Sequence, residues 1–252
     1  MTAQDPATTP AAEPEPEPSR PLRVLSYNIK ELKVDEDAVV DVLRASGADV
    51  VAVQEATRHP TGRRRMRRLA ARAGMRCVVP GGGPFGSFTT AVLVSPGTEA
   101  RVVRAVGRPL PWRWWYRRAR LVWPTRRGYA LVDLGDVVVL SVHLGLDARE
   151  RADHCARLLD VVDRLGAERC VVAGDLNETP DGPSWQTLGT RLRDAGAATD
   201  EVTFSVANPR RRIDAVLVGS AVAVEAVGVV TSDAARRGSD HLPLLAHLRV
   251  MS

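Results

Sequence analysis

Cys170-Val171-Val172-Ala173-Gly174-Asp175-Leu176-Asn177 decides how the chain is to be read. A short apolar run bounded by glycine reads as a buried strand, and this one delivers an acid and an amide two residues apart. In extended backbone such residues point the same way, so Asp175 and Asn177 can hold a water and a phosphoryl oxygen together. An Asx-rich turn ahead of Pro180 accounts for the same residues equally well. The pattern recurs, however. Val50-Val51-Ala52-Val53 leads into Gln54-Glu55, Ser141-Val142 leads into His143, and Ser239-Asp240-His241-Leu242-Pro243 stands where a last strand begins. Groups of this kind are costly to bury unless they are paired or bind a metal. Their repeated placement at strand ends points to a phosphate-cleaving site on one face of a β scaffold.

Outward from these runs the chain divides into many short elements. Residues 22–29 predict a strand ending in Tyr27-Asn28. Asp35 suits the cap of a helix through about Arg44, with Gly47 at its end. Thr61 suits the cap of a strongly basic helix to about Ala73, stopped by Gly74. Strands are expected near Cys77, over 91–94 and over 100–106. Residues 129–134 and 137–144 predict a hairpin across Gly135-Asp136. Asp147-Ala148-Arg149-Glu150 resembles a capping box; the helix it opens places Ala152, Cys155, Leu158, Leu159, Val162 and Leu165 on one face. A short helix over 184–192 and strands over 213–218, 222–230 and 244–250 complete the chain. Strands outnumber helices and often follow one another directly. Two packed, mixed sheets with helices outside, an α/β sandwich, therefore fit better than a purely parallel doubly wound sheet.

Residues 1–21 carry the alternating run Glu13-Pro14-Glu15-Pro16-Glu17-Pro18 and are expected to be disordered, because they cannot build a core. They are either a shield for a basic surface or a solvated leader. Residues 22–252 are expected to form one domain. With 252 residues, 44% of them hydrophobic, the chain is long enough for one large α/β unit. The formal net charge is +5, and Lys30 and Lys33 are the only lysines, so the basic side is arginine. Arginine suits an anionic substrate, although a coding preference that decorates the surface explains most individual arginines as well. Cys77, Cys155 and Cys170 have neither zinc-type nor redox-type spacing and their number is odd, which argues against a disulfide framework. A reduced, cytoplasmic monomer is expected. The N-terminal residues do not read as a signal peptide, and no apolar run approaches the roughly 18 residues of a membrane helix.

Glu55 follows four apolar residues, a position from which a carboxylate can project into a cleft and bind a hard cation through oxygen. His143 alone reads as a hydrogen-bonded core histidine as readily as a catalyst. Asp214, in Arg212-Ile213-Asp214-Ala215-Val216-Leu217, opens an apolar strand and needs a partner; His241 is the imidazole to pair with it. A carboxylate on one ring nitrogen fixes the tautomer and raises basicity at the other.

Tyr27-Asn28, Gln54-Glu55, His143-Leu144, Gly174-Asp175-Leu176-Asn177, Arg212-Ile213-Asp214 and Ser239-Asp240-His241-Leu242-Pro243 stand in the order found in the endonuclease/exonuclease/phosphatase superfamily. The chain resembles that family from about residue 22 to 250. The resemblance implies a four-layer α/β sandwich with a divalent-metal site, usually Mg²⁺ with Mn²⁺ as a substitute, at one end of the two sheets. It implies Glu55 as the main metal ligand with Asn28 and Asp240 nearby. It further implies Asp175 and Asn177 as the water-orienting and phosphate-holding pair, and Asp214 with His241 as the carboxylate–imidazole pair. His143 matches the histidine of the pancreatic-type deoxyribonucleases and sphingomyelinase-like members, where abasic-site endonucleases typically carry tyrosine. Chemistry agrees: His143, Asn177 and His241 can hydrogen-bond phosphoryl oxygens, and Asp175 or His241 can activate the water.

Residues 108–127 interleave Trp112, Trp114, Trp115, Tyr116 and Trp123 with arginines. Such a stretch grips a phosphate backbone and stacks on bases, lies against anionic lipid, or is a surface loop with packed tryptophans. Arg117, Arg118 and Arg120 are its candidate substrate contacts. The function expected is a Mg²⁺-dependent phosphodiesterase acting on nucleic acid. The alternatives are a phospholipid or inositol-phosphate esterase of the same fold, and a catalytically dead binding protein, against which the filled catalytic positions argue.

Overall fold

The computed structural model describes residues 19–82, 88–113, 126–199 and 201–251. In chain order the described elements are β1 (Arg20–Asn28), α1 (Glu36–Ser46), β2 (Val50–Gln54), α2 (Gly62–Arg72), β3 (Arg76–Val79) and β4 (Ala91–Val94). Then come α3 (Pro96–Glu99), β5 (Arg104–Pro109), β6 (Gly128–Asp133), β7 (Val138–His143), α4 (Ala148–Leu165) and β8 (Cys170–Asp175). The last are α5 (Pro183–Leu188), β9 (Arg193–Asp194), β10 (Asp214–Val218), β11 (Val222–Val229), α6 (Asp233–Gly238) and β12 (Leu244–Val250).

Strand alternation sets the layers, because successive side chains leave opposite faces. In β1, Leu22 and Val24 enter a core between the two sheets, together with Val50, Val92, Val139, Val171 and Val216. Leu25 and Tyr27 face the other way, onto Val39, Leu43, Met66 and Leu69 from α1 and α2. The second sheet repeats the plan: Leu140, Val142 and Val172 turn outward onto Cys155, Leu158 and Val162 of α4 and Trp185 of α5. Helices, sheet, sheet, helices: the expected four-layer sandwich is formed. The strand orders are β11-β12-β1-β2-β4-β3 and β5-β6-β7-β8-β10-β9, six strands each and both mixed. Each sheet has a central parallel pair, β1 with β2 and β7 with β8, and these pairs pack on each other across the core.

Several local expectations shift. β1 begins at Arg20, which pairs with Val250, so the first strand starts two residues earlier than expected; residues 1–18 lie outside the described residues. Asp35 caps α1 by accepting from the Ala38 N–H. Thr61 precedes α2 without capping it, its hydroxyl instead lying 2.8 Å from His59 Nδ1. The strand expected over 100–106 is displaced to β5, because Ser95 and Pro96 start the short helix α3, whose turns continue through Val102. The helix expected over 184–192 stops at Leu188, and Arg193–Asp194 becomes a strand against β10. Asp147 caps α4 as expected, but Glu150 does not close a capping box; it turns toward Gly145 and His154.

Candidate active site

One end of the sandwich gathers the functional side chains. The carboxyl ends of the parallel pairs β1/β2 and β7/β8 coincide there with the starts of the antiparallel β10 and β12. His143 lies opposite Asp175 in the β7/β8 register, and Asp214 lies opposite Asp175 in the β8/β10 register. Three neighbouring strands thus set an imidazole and two carboxylates side by side at one level.

Across the core, Asn28 at the end of β1 donates its amide to Asp175 Oδ2 at 3.1 Å. His241, from the segment before β12, sets Nδ1 2.9 Å from Asp214 Oδ2. Its Nε2 stands 3.5 Å from the Asn28 amide and 3.8 Å from Asp175 Oδ2. The Phe204 ring covers it, centroid to centroid 4.7 Å. The pairing expected for Asp214 and His241 is present.

His143 is committed on both nitrogens. Arg127 Nη1 lies 2.7 Å from Nδ1; a guanidinium only donates, so Nδ1 accepts and the proton sits on Nε2. That Nε2 faces Asp175 Oδ2 at 3.2 Å. Burial first, then the Arg127 charge, holds His143 below the ordinary imidazole range. The expectation that His143 hydrogen-bonds a phosphoryl oxygen is therefore at odds with the geometry, because a buried ring with both nitrogens engaged has none to offer. It holds Asp175 instead.

Asp175 collects donors. Besides His143 and Asn28, its Oδ1 accepts from the Asn177 N–H at 2.8 Å. Burial works against its charge, yet His143, His241 and the Asn177 N–H hold it well below the usual carboxylate range. Asp214 is pushed up, chiefly by burial, with the Asp175 charge adding to it and His241 and Thr203 opposing. At His241 burial again opposes charge, but Asp214 outweighs it with help from Asp175 and Asp240, and the imidazole is raised to about 9. Two carboxylates that share one level are kept apart by their partners: one ionised by an imidazole on each side, the other bound to its own imidazole.

Asn177 departs from the expected geometry. It lies beyond the strand at φ 52° rather than in extended backbone, and its amide donates to the Leu144 carbonyl at 3.0 Å. Its side-chain N–H is thus drawn toward the β7 end, while its backbone N–H serves Asp175.

Glu55 stands beside this cluster. Its backbone turns to φ 53°, and its carboxylate takes no hydrogen bond among the described residues. With Glu31, Arg58, Thr89 and Arg127 it lines a pocket of about 70 Å³. Glu31 is held by Arg58, Nε to Oε1 at 2.9 Å and Nη2 to Oε1 at 2.6 Å. Asp240, half-buried, forms an ion pair with Lys30 at 2.9 Å. Asn28 lies opposite Gln54 in the β1/β2 register, and Ser239 Oγ donates to the Asn28 carbonyl at 2.6 Å, so Asn28, Glu55 and Asp240 adjoin. The tightest group of ligand atoms, all within 4.8 Å, is a different set, Asp175, Asp214 and His241. Asp214 and His241 are already each other's partners. The oxygen donors Glu55, Asn28 and Asp240, with Asp175 behind them, fit a hard divalent cation on donor chemistry.

Arg127, Thr203 and Phe204 were not singled out from sequence. Arg127 is buried although Arg126 beside it is exposed, and Thr203 and Phe204 fall in a segment without periodicity. Arg117, Arg118 and Arg120 lie outside the described residues. His154 is buried; its Nε2 is 2.9 Å from the Pro111 carbonyl, and Nδ1 accepts from the Gly145 N–H.

The sandwich gathers paired acids and imidazoles at one end, and the family to which the sequence belongs makes the chain a hydrolase of phosphoric esters. The sequence matches the Endonuclease/Exonuclease/phosphatase family over residues 25–241, and the chain belongs to that family. Its fold is similar to that of the endonuclease/exonuclease/phosphatase from Bacteroides vulgatus, with 17% identity and TM-score 0.73 over 92% of this chain and 99% of that one. It is similar to the mannosyl-6-phosphatase of Bacteroides thetaiotaomicron VPI-5482, with 15% identity and TM-score 0.67 over 90% and 99%. It is also similar to D. rerio TDP2 complexed with single strand DNA product, with 16% identity and TM-score 0.65 over 90% and 98%. No curated protein matches the chain. Among the described residues no helix is long and apolar enough to cross a membrane.

Proposed function

We propose that the chain is a Mg²⁺-dependent phosphodiesterase that hydrolyses nucleic acid. The observation that carries this reading is the Asp175–His241–Asp214 arrangement, in which an ionised carboxylate on β8 and a charged imidazole from the facing sheet stand 3.8 Å apart at one end of the sandwich. Hydrolysis of a phosphodiester needs an acceptor that orients the attacking water and donors that meet charge on the nonbridging oxygens. Asp175, held ionised by His143, Asn28 and the Asn177 N–H, serves as the acceptor. His241, kept protonated by Asp214 through neutral pH, serves as the cationic donor rather than as the base. His143 orients Asp175, and Arg127 fixes the tautomer of His143. Asn177 adjoins Asp175 through its backbone N–H. Glu55, Asn28 and Asp240 would hold the Mg²⁺, which supplies Lewis-acid stabilisation of the phosphoryl oxygens when bound.

Polynucleotide is favoured over a small ester by the arginine content and by the Arg/Trp stretch that leads into Arg127. The test is a substrate panel with added Mg²⁺: single-stranded DNA, plasmid DNA, RNA, sphingomyelin, inositol phosphates, a sugar phosphate and bis(p-nitrophenyl) phosphate. Cleavage of polynucleotide well above the other natural esters is expected, and Glu55→Gln is expected to abolish it while leaving the thermal transition nearly unchanged. A panel in which only a phosphomonoester or a lipid is turned over would replace the nucleic-acid reading. Wild-type activity of the Gln variant at limiting Mg²⁺ would remove Glu55 from the metal site.

A further inference from the structure

Two clefts flank the edge strand β5, away from the acid–imidazole cluster. One, of about 350 Å³, lies between β5 and α4; Arg104, Arg108, Arg157 and Arg164 surround it over a floor that includes Val106 and Tyr129. The other, of about 520 Å³, lies between β5, β3 and α2, and Arg63 and Arg67 join Arg108 at its rim. Arg108 and Val106 belong to both, so one basic track crosses the strand.

Backbone periodicity builds the track. Arg104 and Arg108 are four residues apart in a strand and leave the same face, about 13 Å apart. Arg63 and Arg67 are four apart on α2 and share a face, about 6 Å apart along the axis. Charge balance is unusual here. No carboxylate lines either cleft among the described residues. Asp160 approaches from behind, 3.6 Å from Arg157 and 3.7 Å from Arg164, and Asp133, opposite Arg104 in the β5/β6 register, is held by Arg169. Several exposed arginines elsewhere are paired, as Arg65 and Arg72 are with Glu36. Six guanidiniums collected with so little counter-charge repel one another, and a polyanion relieves that repulsion.

The track ends at the active-site end of the sheet, on its other face. Arg108 pairs with Tyr129 and Tyr129 with Val142 on the face that α4 covers; His143, next to Val142, leaves the opposite face, so a strand reaches it by passing round the strand ends. Two strand spacings, about 10 Å, separate the head of the track from the level of His143.

We propose that these clefts hold the phosphate backbone of a single nucleic-acid strand whose scissile bond lies at the Asp175–His241 site. The proposal rests on the nucleic-acid reading above. Concave clefts with arginine rims and apolar floors suit a strand, whereas a membrane requires a protruding apolar surface, and no large exposed hydrophobic side chain lines either cleft.

The test uses the full-length protein and a fluorescein-labelled single-stranded oligonucleotide in EDTA, with anisotropy followed against salt. Arg104→Ala/Arg108→Ala/Arg157→Ala is expected to raise Kd at least tenfold at low salt. It should also flatten the log–log salt slope by about 2, roughly 0.7 for each phosphate contact on a single strand. The corresponding triple lysine variant should keep most of the slope, which guards against misfolding of the alanine protein. Turnover of bis(p-nitrophenyl) phosphate with Mg²⁺, too small to reach the track, should not change. Equal Kd and slope in wild type and alanine variant, or no oligonucleotide binding by wild type, overturns the track. So does loss of binding to phosphatidylserine vesicles with oligonucleotide binding intact, which assigns the arginines to a lipid surface. Arginine-dependent binding of an oligonucleotide that is not cleaved keeps the track and removes the substrate reading instead.

Discussion

Asp214 sets the charge state of His241. The pair is buried and 2.9 Å apart, and the carboxylate is the strongest of the influences that lift the imidazole to about 9 against the cost of burial. Asp214→Asn removes the charge and keeps the shape, so the imidazole is left with burial and a weaker partner. In the metal-free protein, NMR titration of His241 should give a midpoint near 9 in wild type and well below it in the variant. Turnover should fall by about 10²–10³, the range of a lost charge-stabilising donor, with KM little changed, since the loss acts in the transition state. An unmoved midpoint would mean that Asp214 does not control the proton. Sequence made this pair legible because a carboxylate that opens an apolar strand has few ways to be satisfied other than an imidazole. It made His143 visible as a strand-end polar residue but not its engagement on both nitrogens, because that depends on Arg127, whose neighbours Thr125 and Arg126 gave no hint that one arginine of the run turns inward.

Between β7 and β8 the approach is closer than a side chain permits. Gly174 lies opposite Val142, and a Cβ built on it would stand 2.0 Å from the Val142 carbonyl oxygen. The glycine directly precedes Asp175, so the same contact sets the distance from Asp175 to His143. Gly174→Ala must push the strands apart. About 1–3 kcal/mol of stability should be lost, as for other overpacked sites, and because about 1 Å of misplacement can cost 10²-fold, turnover should fall more than the stability change alone explains. Urea denaturation and single-turnover rates on the same preparation separate the two; a variant with wild-type rates would show that the spacing is not needed. Element by element, β4 and β12 were legible to the residue: the four apolar residues of β4 are too few for a helix, and β12 alternates between buried and more exposed positions. Where a short helix competed, the pattern failed. α3 and α6 span four and six residues, each capped by a serine, Ser95 and Ser232, and bury too few apolar residues to show a helical period. The succession of strands announced two mixed sheets, but their order, with β12 between β11 and β1, rests on long-range pairing that no local pattern records.

For the molecule as a whole, the site is a store of linked protonation equilibria placed at one end of an otherwise apolar sandwich. His241 carries a pKa raised from 6.5 to about 9. A group raised in the folded state gives stability that is complete below its unfolded value and is lost as pH climbs through the folded one. Its window is therefore about 6.5 to 9, on the alkaline side. Asp175, held low, stabilises above its unfolded value and loses that contribution as pH falls. Asp214, held high, loses stability as pH rises past its unfolded value and partly offsets Asp175 in acid. The buried thiols do not intrude on the alkaline window. Burial first of all holds Cys77 and Cys170 at about 12 and Cys155 at about 11, all above their ordinary 9.0, so they weaken the fold only beyond pH 9 or so. Urea unfolding of the metal-free wild type should therefore show a free energy that declines steadily from pH 7 to 9. Asp214→Asn, though less stable at pH 7, should be nearly flat over the same interval, because its His241 has little charge to lose. Parallel curves for the two proteins would detach the alkaline decline from the site and place it in the surface charge of the whole chain.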